Sequence, residues 1–199
     1  MSWNWFPIKI EELYDHLQVA DDRGFIVLSS AGDDASTASQ RCSFIHDKLH
    51  QAVYSMLDEE ARTQVYLRIA RALSVGLEEE QREDRVFGIA NSYMAAGTLI
   101  QDEEEKIRAA RFCRMAGEKA LDSASSEMAH RYLQQGIAFL PEGSWETHYN
   151  LSYSLVQAAG QAAYGEADLE AVRHYATIIR AHARDNLDRC AAFRLKSMP

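Results

Sequence analysis

Met115–Ala120 reads MAGEKA and Ala158–Ala163 reads AAGQAA, 43 residues further on. Both segments place Ala and Gly where a helix lets a neighbour come close. Each is followed by a turn and another apolar helix, marked by Ala129 with Tyr132 in the first case and Ala171 with Tyr175 in the second. Around this echo the apolar residues recur at intervals of three or four: Tyr66, Ile69, Leu73 and Leu77, then Leu133, Ile137 and Leu140. Such spacing gives each helix one buried stripe.

Working outward, helix breakers are scarce. Only three prolines occur, at positions 7, 141 and 199, with ten glycines, so a mostly helical chain is expected. Helices are predicted over about 46–57, 59–75, 82–97, 101–121, 125–140, 145–165, 168–184 and 187–196. Asp58 is placed to cap a helix whose first turn carries Glu59 and Glu60, and Ser125 stands likewise ahead of Glu127. Pro141 and Gly143 end one helix, Ser144 is placed to cap the next, and Gly76 and Gly97 close two others. Consecutive antiparallel helices on short loops, with small residues inside each pair, match a tetratricopeptide-like α–α superhelix. The period exceeds the nominal value of about 34, so longer helices are implied.

The front of the chain reads differently. Residues 1–10 (MSWNWFPIKI) are aromatic and aperiodic, and Glu11–Ala20 has a short helical pattern. GFIVLSS at 24–30 and RCSFI at 41–45 read as strands around a Gly/Asp/Ser/Thr-rich loop at 31–40. Helix, strand, polar tip, strand and helix predict a winged-helix-like α/β element over 1–57. A helical-repeat domain is expected over 58–199, with the final LDRCAAFRLKSMP reading as the first helix of a further pair.

Composition bounds the function. With 21 Lys and Arg against 30 Asp and Glu, the formal charge is −9, which argues against a phosphate-neutralising nucleic-acid binder and against a polybasic membrane anchor. No run is long and apolar enough for a membrane span, and Met1–Ile10 lacks a signal-peptide pattern. Cys42, Cys113 and Cys190 are odd in number and far apart, as expected of reduced thiols in a cytoplasmic chain.

Chemical motifs are sparse. His46-Asp47-Lys48-Leu49-His50 sets two histidines four apart on a helix, as in HExxH zinc sites. Asp stands where that motif needs Glu, and no third ligand is near, so helix-start contacts and packing are expected. Neither GxGxxG nor GxxxxGK[ST] occurs, and Ser55, Ser125 and Ser154 lack a GxSxG elbow. The cysteines form no CxxC and read as small core residues. Glu78–Glu80 and Asp102–Glu105 read as solvated helix starts and loops. Trp145 is placed to seal a joint between helix pairs. Arg111, Arg114, Arg131 and Arg173 lie scattered on helices without aromatic interleaving. No catalytic, metal or cofactor residue is assigned.

Two segments resemble a known family. Phe44–Ser55 (FIHDKLHQAVYS) is similar to the "F-L-H-D-R-V-Q-Q-A-A-Y-S" segment of large hybrid histidine kinases and Ser/Thr kinase–ATPase–histidine kinase fusions. Arg131–Tyr149 (RYLQQGIAFLPEGSWETHY) resembles their "R-Y-L-x-x-G-I-A-L-L-P-x-x-S-W-x-x-H-Y". Tyr66–Leu73 resembles "H-L-R-I-G-R-L-L", and Phe87, Ile89 and Asn91 match an "F-x-I-x-N" helix. With Ala116, Gly117, Ala120, Ala159 and Tyr164 added, the resemblance spans about 41–196. It departs at His50, where the family has Gln, and at Ala167-Asp168, where the family prefers Gly-Asp.

The resemblance implies the helical-repeat region downstream of an AAA-type ATPase, without the P-loop, kinase or phospho-accepting modules of the parents. The function it implies is a non-catalytic interaction or signal-relay scaffold in the cytoplasm, partnered by a kinase, ATPase or response-regulator module. A fragment of an ATP-dependent sensor kinase, catalytic elsewhere, is the first alternative. A winged-helix DNA-binding regulator is the second, disfavoured by the acidic charge and the lack of an Arg/Lys-rich recognition helix.

Overall fold

Schellman-type turns, in which the chain reverses through one left-handed residue, end three of the described helices, at Gly24, Ala124 and Ala167. The computed structural model describes residues 10–31, 39–74, 79–186 and 188–190. The aromatic start with Trp3, Trp5 and Phe6, the loop tip at 32–38, Gly76 and most of the helix expected over 187–196 lie outside the described residues. The chain is mostly helical and divides into two units, Met1–Arg62 and Thr63–Pro199.

The first unit contains α1 (Ile10–Asp22), β1 (Ile26–Ala31), β2 (Ser39–Phe44) and α2 (Asp47–Met56). Gly24, at φ 70°, ends α1, with Phe25 N donating to Ala20 O at 2.9 Å and Gly24 N to Asp21 O at 2.8 Å. The strands pair antiparallel, Ile26 opposite Phe44 through to Ala31 opposite Ser39. They begin and end differently from expectation: Ala31, Ser39 and Gln40, read as loop, extend the ladder toward its tip. Among the described hydrophobic residues of this unit only Ile26 is buried. Asp58 caps the next helix as expected, accepting from Ala61 N at 2.7 Å. That helix, α3 (Glu59–Ser74), crosses the division between the units.

The second unit continues with α4 (Glu79–Ala96), a 3-10 turn (Gly97–Leu99), α5 (Glu103–Asp122), α6 (Ser126–Phe139), α7 (Ser144–Thr147), α8 (Tyr149–Gly165) and α9 (Leu169–His182). Helix α5 packs on α4, α6 and α8, while α8 packs on α6 and α9. The echo in the sequence is an echo in space. Ala124, at φ 56°, closes the α5–α6 turn and Ala167, at φ 59°, closes the α8–α9 turn. Ser125 N donates to Ala120 O at 2.9 Å, and Asp168 N donates to Ala163 O at 3.0 Å. Ala124 N to Leu121 O and Ala167 N to Tyr164 O are both 2.9 Å. Every partner in one turn sits 43 positions before its counterpart in the other.

The same offset governs the core. On α6, Ala129, Tyr132, Leu133 and Gly136 are buried, and on α9 so are Val172, Tyr175, Ala176 and Ile179. One interval earlier, Val86, Ile89, Ala90 and Tyr93 of α4 are buried too. On the preceding helices Cys113, Ala116, Gly117 and Ala120 of α5 correspond to Val156, Ala159, Gly160 and Ala163 of α8, all buried. Small residues alternate with large across these faces, which is how helices interdigitate at close range. A Cβ on Gly117 would lie 2.7 Å from Leu133 Cδ2, and one on Gly136 would lie 2.6 Å from Leu155 Cδ2. Phe87 leans on the Tyr132 ring at 5.7 Å, and the Tyr132 hydroxyl donates to Asn91 Oδ1 at 3.0 Å.

Two capping expectations and one helix boundary need correction. Ser125 holds the N-cap position of α6, but its side chain makes no cap hydrogen bond; the backbone turn does the work. Ser144 is the first residue of α7 and not its cap: Gly143, at φ 76°, occupies that position, and Ser144 Oγ turns back to donate to Pro141 O at 2.5 Å. The helix expected over 145–165 is broken at His148, whose φ of −130° interrupts it. A fourth difference is energetic. Asp102 caps α5, accepting from Glu105 N at 2.8 Å, and Glu103 and Glu104 are exposed, but Glu105 is buried. It pairs in bidentate fashion with Arg71 of α3 at 2.7 Å for both contacts, and this bond raises the arginine's pKa despite partial desolvation.

Substitutions separate packing from backbone cost. Gly117→Ala lowers the unfolding free energy by about 1–3 kcal/mol through overpacking against Leu133. Ala124→Gly and Ala167→Gly leave it unchanged or raise it by up to about 1 kcal/mol, since glycine relieves the left-handed penalty. Urea denaturation checks both; equal losses in all three variants contradict this packing account.

In a separate series, Arg71→Ala strands a buried carboxylate and destabilises by about 2 kcal/mol, less than a fully buried pair because Arg71 is partly in water. The double variant Arg71→Ala with Glu105→Leu recovers most of that loss in the same assay.

Candidate functional site

One stripe of helix α5 carries exposed Glu104, Arg108 and Arg111 with half-buried Arg114, spaced three or four apart beside the buried Ile107. Facing it are the Pro141–Thr147 turn and the first two turns of α8. Between them lie two adjoining recesses of about 610 and 440 Å³ that share Arg111, Thr147 and His148 and form one open groove. Its two ends differ in charge. Glu103, Glu104 and Glu142 line one end, offset by Arg108 and, at the border with the other recess, Arg111. Arg111, Arg114 and Arg184 line the other, with Glu146 the one acidic side chain there.

The basic end is held by an aromatic joint. Trp145 stacks on His182 with centroids 4.3 Å apart and planes 5° from parallel, so it ties α7 to the end of α9. Arg184 lies 4.0 Å over the Tyr149 ring, and its Nη2 donates to Trp145 O and Glu146 O, both at 3.1 Å. The Tyr149 hydroxyl donates to Asp188 and accepts from Arg184 N at 3.1 Å. Desolvation and the Asp188 bond raise the Tyr149 pKa. Arg114 pairs with Glu118 at 2.5 Å. Arg111 has no acidic partner among the described residues, nor has Arg184, which is fixed by carbonyls and a ring.

A second cluster centres on the buried His130 of α6 and reaches the surface at Gln134 and Glu166. His130 lies between Glu166, at 3.1 Å from Nδ1, and the Tyr175 hydroxyl, at 3.0 Å from Nε2. Gln134 Nε2 donates to His130 Nε2 at 3.1 Å. The set fits the tautomer protonated at Nδ1, with Nε2 accepting. Burial pushes the Tyr175 phenol up. With both ring nitrogens engaged and no nucleophile bonded to it among the described residues, the cluster ties α6 to the α8–α9 turn and α9.

The residues singled out in the sequence fall in different places. His46 is exposed at the start of α2 and makes no cap bond, while the His50 side chain lies outside the described residues. Among the described residues no three His, Cys, Asp or Glu side chains converge as metal ligands, and no helix is long and apolar enough to cross a membrane. Ser55 and Ser154 bond helical carbonyls, and Ser125 stands at the N-cap of α6 without a side-chain cap bond. Cys113 is buried in the core, and Cys42 and Cys190 are exposed. Arg131 lies over the Tyr132 ring at 5.6 Å, and Arg173 is exposed on α9. Arg111 and Arg114 converge with Arg184 across some seventy positions of chain, a meeting that linear spacing does not reveal. The sequence signal for half of it is the three-residue step from Arg108 to Arg111 to Arg114.

No protein-family model, curated protein or solved structure matches this chain. The residues that carry the kinase-linker resemblance have structural places: Ile89, Tyr132, Leu133 and Gly136 in the core, Trp145 and Tyr149 in the joint.

Burial pushes the Cys113 thiol up from its ordinary 9.0 to about 12. Between those values the unfolded chain releases this proton and the folded chain keeps it, so stability falls with rising pH by about 1.4 kcal/mol per unit. Cys113→Ala, whatever its constant packing cost, removes that component from urea midpoints measured at about pH 8 and about pH 10. In native protein a thiol reagent titrates Cys42 and Cys190 quickly and Cys113 only on unfolding; rapid reaction of Cys113 refutes its burial.

Proposed function

We propose that this chain is a non-catalytic protein-interaction scaffold, a tetratricopeptide-like stack of antiparallel helix pairs fronted by a winged-helix-like element. In this reading it relays conformational change to kinase, ATPase or response-regulator modules in the cytoplasm. The observation that carries the proposal is the open groove along α5 and α8, the first helices of two successive pairs. Their partners α6 and α9 commit Tyr132, Leu133, Tyr175 and Ile179 to the core, which frees the outer stripe of α5 to meet a ligand. A groove of this shape takes an extended or helical segment of a protein through side-chain anchors. The engaged state of His130 and the raised thiol of Cys113 favour structural over catalytic roles for the two buried reactive groups.

The test is affinity capture with two variants. Asn150→Trp fills the groove at an exposed position, and Arg173→Trp adds the same bulk on α9 outside it. A protein bound by wild type and Arg173→Trp but lost by Asn150→Trp is the expected result. Binding indifferent to Asn150→Trp refutes the groove as the interaction face.

A further inference from the structure

We infer that the groove takes a charge-polar peptide, with an acidic stretch seated at Arg111, Arg114 and Arg184 and a basic stretch at the opposite end. This deepens the scaffold reading and rests on it. The chain carries a net charge of −9, yet the α8 end of the groove gathers three arginines against one glutamate. A local field opposite in sign to the whole molecule marks the charge of the ligand that enters it.

Two of these arginines have no acidic partner among the described residues. Arg111 is exposed and has no acidic partner among the described residues, although it stands at the centre of the groove, shared by both recesses. Arg184 is pinned by two carbonyls and the Tyr149 ring, with Asp188 engaged by the Tyr149 hydroxyl. A guanidinium held in place loses little freedom when a carboxylate arrives, so the pair forms at reduced entropic cost. Arg114 keeps Glu118 and contributes less.

The other end selects the class of ligand. Glu103, Glu104 and Glu142 line it, with Arg108 there and Arg111 at its border with the basic end to offset them. A nucleic acid, negative along its whole length, meets repulsion at that end. A peptide acidic at one end and basic at the other satisfies both.

The probe is a fluorescein-labelled peptide with a block of glutamates joined to a block of lysines, made in both chain directions. Its control has the same composition in alternating order. Fluorescence anisotropy is expected to show one block direction binding at least about tenfold tighter than the alternating control. Raising salt weakens the binding. Arg111→Glu, at an exposed position, removes that preference, Arg184→Gln reduces it, and Arg173→Glu leaves it intact. Circular dichroism confirms that each variant is folded. Equal binding of block and alternating peptides overturns the inference, as does an unaffected Arg111→Glu, or tighter binding of a labelled single-stranded oligonucleotide. If a captured partner is lost by Asn150→Trp but kept by Arg111→Glu, the charge assignment fails while the groove stands. If neither variant loses it, the groove reading itself fails.

Discussion

Leu133 rests on Gly117, and Leu155 rests on Gly136. These contacts require α6 to approach α5, and α8 to approach α6, more closely than any side chain at the glycines permits. Close approach brings the alanines at 116, 120, 159 and 163 into the buried seam, where dispersion contacts accumulate. The left-handed residues Ala124 and Ala167 set the reversals that let each pair close. Glycine is the usual residue there, and the packing energy of the seam offsets the steric cost of alanine.

Polar contacts then fix which helices meet. The Arg71–Glu105 pair ties α3 to the start of α5, and the Tyr132 hydroxyl on Asn91 ties α6 to α4. His130 joins α6 to the α8–α9 turn through Glu166 and to α9 through Tyr175. Each is expensive to leave half-made in the interior and so specifies register more than it adds net stability. With the inner faces committed in this way, the outer stripe of α5 and the first turns of α8 are left to line a groove whose charge is opposite at its two ends.

Much of this was legible in the chain. MAGEKA and AAGQAA announced the two hairpins, and their spacing is the spacing of the turns. The third copy on α4 escaped because Ser74 stands one interval before Gly117, and nothing in the 66–77 stripe repeats the Ala/Gly signature. The break at His148 escaped because Ser144 and Trp145 look like an ordinary helix start. Only the backbone geometry shows that Gly143 holds the cap position. Glu105 read as one of a run of solvated acids, since its burial depends on an arginine on another helix. The candidate groove was the least legible element: Arg184 reaches Arg111 and Arg114 only through three helix reversals, and the His130 cluster draws on three segments. Local periodicity reports a buried face; it does not report which exposed side chains the fold brings together.

A partner seated in the proposed groove along α5 and α8 leaves the seam untouched. Amide hydrogen exchange of the full chain, alone and with its captured protein partner, tests this most directly. The account predicts added protection in the outer stripe of α5 and across 143–154, with α6 and α9 unchanged. Protection concentrated on the β1–β2 hairpin or on the exposed face of α9, with the groove unaffected, would contradict it.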